Sequence, residues 1–306
     1  MSASPAPDGP RVLTPALARG AALARLVKLS HSLFALPFAA AAAALVAPQA
    51  APAGLPLRLL LVALAVVAAR TAAMSMNRIA DRAIDAQNPR TARRELVTGE
   101  VSPAAAWALL LSSAAAFVAL AFGLSPACGL LALPVLLVLL GYSFAKRFTW
   151  ACHLWLGLAQ ALAPVGVSLA LAGRVGLPAA VLGVGVGAWI AGFDVFYALQ
   201  DLEFDRTSGV RSIPVRFGVR GALAWARGLH LLALASVAAA GALGGRGPGW
   251  LAGTAILSAV LLAEHAYVAP GGRLRRERIG VAFFNYNAFA SIAFALCAVG
   301  ELVLGR

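Results

Sequence analysis

Residues 55–85 read LPLRLLLVALAVVAARTAAMSMNRIADRAID. From Leu55 to Met76 the run is apolar apart from Arg58, Arg70 and a few small hydroxyl residues. Its length is that of a bilayer span, about 20 residues. It then closes on Asn77, Asp81 and Asp85, oxygen-bearing side chains one helical turn apart. A membrane helix that ends in a stack of carboxylates sets the terms for the rest of the chain.

Working outward, apolar runs of similar length recur between polar punctuation. The approximate ranges 29–47, 55–76, 103–123, 126–144, 150–172, 177–199, 220–241, 248–268 and 281–303 are expected to cross the bilayer. Pro52, Pro56, Pro103, Pro126, Pro178 and the glycines near 173, 244–249 and 271 separate them. The fold class expected is all-α: a polytopic membrane protein with nine transmembrane helices bundled around a central cavity. Composition agrees. The 306 residues are 61% hydrophobic and only 12% charged, where soluble domains carry about a quarter charged residues. Residues 1–25 are expected to be a disordered cytoplasmic tail and 26–306 one transmembrane domain. Arg11, Arg19 and Arg25 interrupt the N-terminal stretch, which argues against a cleaved signal peptide. Cys128, Cys152 and Cys297 have neither metal-ligand nor disulfide spacing and read as small core residues.

The net charge of +13 is distributed unevenly. One set of connections holds Arg19, Arg25 and Lys28, Arg78 to Arg94, Lys146 and Arg147, Arg206 to Arg220, and Arg273 to Arg278. The opposite set holds only Arg58, Arg174, Arg246 and Arg306. The positive-inside rule then puts the N-terminus inside and the C-terminus outside, in the cell (cytoplasmic) membrane. The same asymmetry accounts for the basicity without nucleic acid, since no soluble basic domain is present to bind it. The basic run Arg273–Arg278 is expected to meet anionic headgroups.

A second acidic cluster follows the sixth apolar run: Asp194, then Tyr197-Ala-Leu-Gln-Asp201-Leu-Glu-Phe-Asp205. Four spans separate the two clusters, an even number, so both open on the cytoplasmic face. Carboxylates at i and i+4 repel on a helix unless a cation lies between them. Hard oxygen donors with no His or Cys alongside suit Mg²⁺, which takes one or two carboxylates and completes its shell with water and phosphate. Two such clusters on one face would hold a metal-bridged diphosphate. Arg82, Arg93, Arg94, Lys146, Arg147 and Arg211 are placed to neutralise the remaining charge.

Asn77-xxx-Asp81-xxx-Asp85 with Asn88-Pro-Arg-Thr-Ala-Arg-Arg94 resembles the first signature of the UbiA superfamily of membrane prenyltransferases. Tyr197-xxx-Asp201-xxx-Asp205 with Gly209-Val-Arg-Ser-Ile-Pro214 resembles its second, and Tyr142-Ser-Phe-Ala-Lys146-Arg147 resembles the loop between its fourth and fifth helices. The opening Leu29-Ser-His31-Ser-Leu-Phe-Ala-Leu-Pro37 is similar to a 4-hydroxybenzoate polyprenyltransferase-like subgroup that includes dihydroxynaphthoate prenyltransferases of menaquinone synthesis. The resemblance implies a transferase of quinone biosynthesis. It would move a polyprenyl group from its diphosphate to 4-hydroxybenzoate or a dihydroxynaphthoate. It implies that Asn77, Asp81, Asp85, Asp201 and Asp205 hold the diphosphate through Mg²⁺, two ions, with Mn²⁺ as substitute. Asp81, Asp85, Asp201 and Asp205 would carry catalysis, with Asn77, Arg82, Arg94, Lys146, Arg147 and Arg211 on the diphosphate.

Arg70 lies about two turns inside the membrane from Asn77 on the same helical face, where an Arg is costly and marks function. It is expected to bind the acceptor's carboxylate with Tyr142 and Tyr197 nearby; the alternative is an internal salt bridge to Asp194. His31, His153, His230 and His265 have no convergent partners in sequence and read as structural, and Glu264 reads as interfacial. A transporter is the rival class, since intramembrane charges also mark ion paths. The clustering of acids at one face, rather than near the midplane, weighs against it.

Overall fold

The structure is a computed structural model that describes residues 15–28, 35–50 and 54–304. Its regular elements are helices throughout: α1 Pro15–Leu26, α2 Ala35–Val46, α3 Leu55–Gln87, α4 Glu95–Thr98, α5 Pro103–Leu124, α6 Pro126–Phe148 and α7 Cys152–Ala172. Then follow α8 Leu177–Ala198, α9 Leu202–Ser208, α10 Ile213–Leu243, α11 Pro248–Val268, α12 Arg276–Val281, a π-helical turn Ala282–Tyr286 and α13 Asn287–Leu304.

Helix starts are written locally. Pro occupies the first turn of α3, α5, α6, α8, α10 and α11, where its missing N–H is not needed. Ser102, Ser125 and Ser212 accept hydrogen bonds from the backbone N–H of Ala105, Cys128 and Val215 at 3.2, 3.1 and 3.3 Å, each satisfying one orphan donor of a helix N-terminus.

Among the described residues eight helices are long and apolar enough to cross a membrane. Eight of the expected ranges fall on them. The first, 29–47, coincides with the shorter α2, while residues 29–34 and His31 lie outside the described residues. Several spans run further than expected. Helix α3 continues past Met76 to Gln87, α10 begins at Ile213 rather than near 220, and the last apolar stretch begins at Arg276. The stretch expected to be a tail is helical from residue 15. Ala22 and Leu26 are buried there, packed with Leu96, Val101 and Ala106, and this apolar stripe gives the segment something to fold against. Residues 1–14 lie outside the described residues.

Helix α8 is the most enclosed of the spans and packs between α7 and α10. Against α7 the backbones nearly touch: a Cβ built on Gly157 would lie 2.6 Å from the Gly187 carbonyl oxygen, and the reverse distance is also 2.6 Å. Only glycine permits that approach, as in small-residue crossings of membrane helices. Large apolar side chains such as Leu57, Leu130, Leu137, Leu262 and Leu304 point outward, as expected where the solvent is lipid. Helices α3, α6 and α8 finish at one end of the bundle, where α7 and α10 begin. That end carries both acidic clusters.

Candidate active site

Helix α3 carries Asn77, Asp81 and Asp85 on one face because it does not stop where its apolar run stops. Asp81 and Asp85 are buried at 2% and 5% exposure, so each needs a counter-charge. Lys146, in the last turn of α6, puts Nζ 2.6 Å from Asp81 Oδ2, and Asn77 Nδ2 donates to the same oxygen at 3.1 Å. Arg147 lies 3.9 Å from Asp81 Oδ1 and donates to the Ala80 carbonyl and, at 3.3 Å, to that of Ser143. Asp81 Oδ1 itself has no hydrogen-bond partner among the described residues. Arg94 Nη1 pairs with Asp85 Oδ2 at 2.5 Å.

The second cluster is built across a break. Tyr197 belongs to α8, Asp201 precedes the first residue of α9, and Asp205 lies one turn on, its N–H donating to the Asp201 carbonyl at 2.8 Å. Asn88, held extended ahead of Pro89, turns the chain after α3 and accepts a hydrogen bond from the Arg90 N–H at 2.9 Å. Its Nδ2 donates to Asp201 Oδ1 at 3.1 Å. Arg90 grips both oxygens of Asp201, with Nε 2.8 Å from Oδ1, donates to the Tyr197 hydroxyl at 2.8 Å and lies over the Tyr197 ring. The loop after the first cluster thus clamps the second. Burial would raise the Asp201 pKa, but the Arg90 and Asn88 hydrogen bonds outweigh it and hold this carboxyl below its usual range. Asp205 shifts the other way, to about 6, pushed up by burial and by the charge of Asp201.

A cavity of about 130 Å³ opens between these elements. Asn77, Tyr142, Lys146, Tyr197, Asp201 and Asp205 line it, as do His153 and Asp194. Asp81 is reached through Lys146 rather than lining the wall. Among the described residues no three His, Cys, Asp or Glu side chains converge closely enough to hold a metal by themselves. The donor set does fit an ion that takes few protein ligands, being all hard oxygen, with a buried and unpartnered carboxylate oxygen on Asp81.

Several expectations need correction. Arg82 stands on the exposed face of α3, about 100° round the helix from Asp81, and makes no hydrogen bond or ion pair among the described residues. Arg211 is a strap: its N–H donates to the Lys146 carbonyl and its Nη1 to the Phe148 carbonyl, at 2.8 and 2.9 Å. Arg70 does not pair with Asp194; its Nε is buried without a partner among the described residues, and it does not line the cavity. Asp194 instead meets His153, Nδ1 to Oδ2 at 2.7 Å. His230 Nδ1 and His265 Nε2 pair at 3.0 Å. Glu264 is buried at 1% exposure, accepting from Asn287, which accepts from Trp189 Nε1. Arg276 pairs with Glu203 at 2.9 Å. Asn88 and Arg90 lie within the quoted first signature but are not among the site residues expected from sequence. Their signal was local, an Asn-Pro-Arg turn one residue past the carboxylate helix.

Residues 35–295 match the UbiA prenyltransferase family. The chain is 30% identical over 232 residues to a 4-hydroxybenzoate octaprenyltransferase of Aromatoleum aromaticum, covering 75% of this chain and 76% of that one. It is 31% identical over 239 residues to one of Nitrosomonas eutropha, covering 76% and 80%. Among solved structures it resembles the apo form of a UbiA homolog from Aeropyrum pernix K1, with 32% identity, a TM-score of 0.77, and 90% and 98% of the two chains covered. A UbiA homolog from Archaeoglobus fulgidus bound to GPP and Mg²⁺ shares the fold at 21% identity and a TM-score of 0.66, over 89% and 99%.

Proposed function

Since the chain belongs to the UbiA prenyltransferase family, a family of multi-pass membrane proteins, we propose that it transfers a polyprenyl group from polyprenyl diphosphate to a hydroxylated aromatic acid. The acceptor named for its relatives, 4-hydroxybenzoate, is the first to test and a dihydroxynaphthoate the second. The observation that carries this reading is the cavity wall, where Asn77 of the first cluster, Asp201 and Asp205 of the second, and Lys146 face one space.

Mg²⁺, two ions with Mn²⁺ as substitute, would be held by Asn77, Asp81, Asp85, Asp201 and Asp205, and supplies positive charge to the departing diphosphate. The protein's own cations do the rest. Lys146, Arg94 and Arg90 neutralise Asp81, Asp85 and Asp201 in the structure. Lys146 lines the cavity where the diphosphate would arrive, and Arg147 lies beside Asp81. Arg211 acts through the backbone, fixing the Lys146–Phe148 turn. Tyr142 and Tyr197 wall the cavity where a planar acceptor would lie. Arg70, outside that lining and two turns before Asn77 on the same helix, would meet the acceptor's carboxylate from deeper in the bundle.

For topology we take α2 as the first of nine spans, bundled round a cavity that receives the isoprenoid tail. The active site then faces the cytoplasm, with the N-terminus inside and the C-terminus outside the cell membrane. Cysteines introduced near Arg306 should react in intact cells and those near Arg90 should not; the opposite pattern overturns the orientation. The functional test is direct. Purified protein with Mg²⁺, radiolabelled polyprenyl diphosphate and either acid should yield a prenylated aromatic product. Uptake of a solute without any covalent product would favour the transporter reading.

A further inference from the structure

The His153–Asp194 pair belongs to none of the motifs that hold the diphosphate, yet both side chains line the same cavity. His153 opens α7 and is buried at 4% exposure; Asp194 lies in the last turn of α8. Their contact, Nδ1 to Oδ2 at 2.7 Å, fixes the imidazole. Nδ1 faces the carboxylate, so Nε2 is the ring nitrogen left for a ligand. That nitrogen is buried and has no hydrogen-bond partner among the described residues. A buried polar nitrogen left without a partner is costly in a folded protein, and this one belongs to a residue of the cavity wall, where a ligand could meet it. Tyr142 and Tyr197 line the cavity beside it, as an aromatic guest would require.

From this juxtaposition we propose that His153, oriented by Asp194, is the base that takes the hydroxyl proton of the aromatic acceptor. The inference rests on the aromatic prenyl transfer proposed above and adds a catalytic residue to it. The acceptor's O–H proton moves to His153 Nε2, and the electron pair so released makes the ring carbon beside the oxygen nucleophilic. That carbon forms the C–C bond to the allylic carbon, while the C–O bond to the diphosphate breaks and its electron pair leaves with the diphosphate. The resulting dienone loses the proton from the newly bonded ring carbon and regains one on its oxygen. The imidazolium returns its proton to the departing diphosphate, so the net change is one ring proton exchanged for a prenyl group. Asp194 is a positioning residue in this scheme: it selects the tautomer and stabilises the imidazolium, the division of labour known from His–Asp pairs in hydrolases.

The test compares full-length wild type, His153→Gln and Asp194→Asn in lipid nanodiscs with Mg²⁺. The acceptors are 4-hydroxybenzoate and 3-fluoro-4-hydroxybenzoate, whose hydroxyl is more acidic. Diphosphate release in the absence of acceptor is followed in parallel. With 4-hydroxybenzoate, kcat should fall about 10²-fold in each variant, the scale of a lost general base. With the fluorinated acid the deficit relative to wild type should shrink at least about fivefold, because a more acidic hydroxyl needs less help. The donor KM and acceptor-free diphosphate release should stay within about twofold of wild type. Equal deficits with both acids, or a parallel loss of diphosphate release, would make the pair a structural tie between α7 and α8 and overturn the proposal. A wild type that releases diphosphate but prenylates neither acid would instead sink the aromatic reading itself.

Discussion

The two carboxylate clusters share a spacing but not a construction. Asp81 and Asp85 stand on one uninterrupted helix of 33 residues and are buried at 2% and 5% exposure. Asp201 and Asp205 sit where α8 has ended and the 7-residue α9 begins, and both are partly exposed. The first cluster is positioned by its own helix, with all of the bundle behind it. The second depends on Asn88 and Arg90 reaching over from the loop that follows the first. A DxxxD spacing therefore says that two acids share a turn; it does not say what holds that turn still.

The comparison breaks most completely if divalent metal is withdrawn. EDTA should abolish transfer by native protein, and Asp81→Asn or Asp201→Asn should each lower kcat/KM at least about 10²-fold, the scale of a lost charge-stabilising group. Full turnover of EDTA-stripped protein would remove the metal role from both clusters alike. Substitution of Arg90 separates them. Arg90→Ala should raise the KM for polyprenyl diphosphate about tenfold by releasing Asp201, while Arg90→Lys, which keeps charge but loses the fork, should cost about threefold. If Arg90→Ala is silent, α9 positions the second cluster without the clamp.

Arg70, on the helix of the first cluster but two turns deeper, tests how far that face extends. Arg70→Lys should raise the acceptor KM about tenfold, equivalent to roughly 1.5–3 kcal/mol of charge-assisted hydrogen bonding, and leave the donor KM unchanged. A changed donor KM with an unchanged acceptor KM would assign Arg70 to the diphosphate. The smallest effect is expected at Gly209, which closes α9 with φ 74° and has open space where a Cβ would be. Gly209→Ala should cost about 1 kcal/mol of stability, a drop in Tm of a few degrees, with kcat within about twofold of native. A large loss of activity there would mean that the second cluster tolerates less movement than its exposure suggests.

The spans were legible because bilayer length and proline or glycine punctuation are both local signals. The extension of α3 was less so: Asn77 to Gln87 is polar, and an apolar window stops at Met76 although the helix does not. Buried Arg78 shows what carries it on, donating from Nε to the Leu26 carbonyl at 3.1 Å. The metal-side acids and Lys146 could be read from motif and spacing. The partners of the histidines could not, since His153 and Asp194 are 41 residues apart, and His230 and His265 are 35 apart. Sequence shows an isolated histidine at each place, and only the packing of α7 on α8 and of α10 on α11 supplies the partner.

The Gly157–Gly187 crossing also sets a length scale. His153 lies one turn before Gly157, and Asp194 lies about two turns after Gly187. Their separation is thus measured from a point where two backbones touch, with no side chain as shim. A packed side chain can be traded for another of similar volume, but a backbone contact has no substitute of different thickness. The outward leucines can drift in identity with the membrane that hosts them, while the gauge of the cavity stays fixed by two residues that have no side chain to vary.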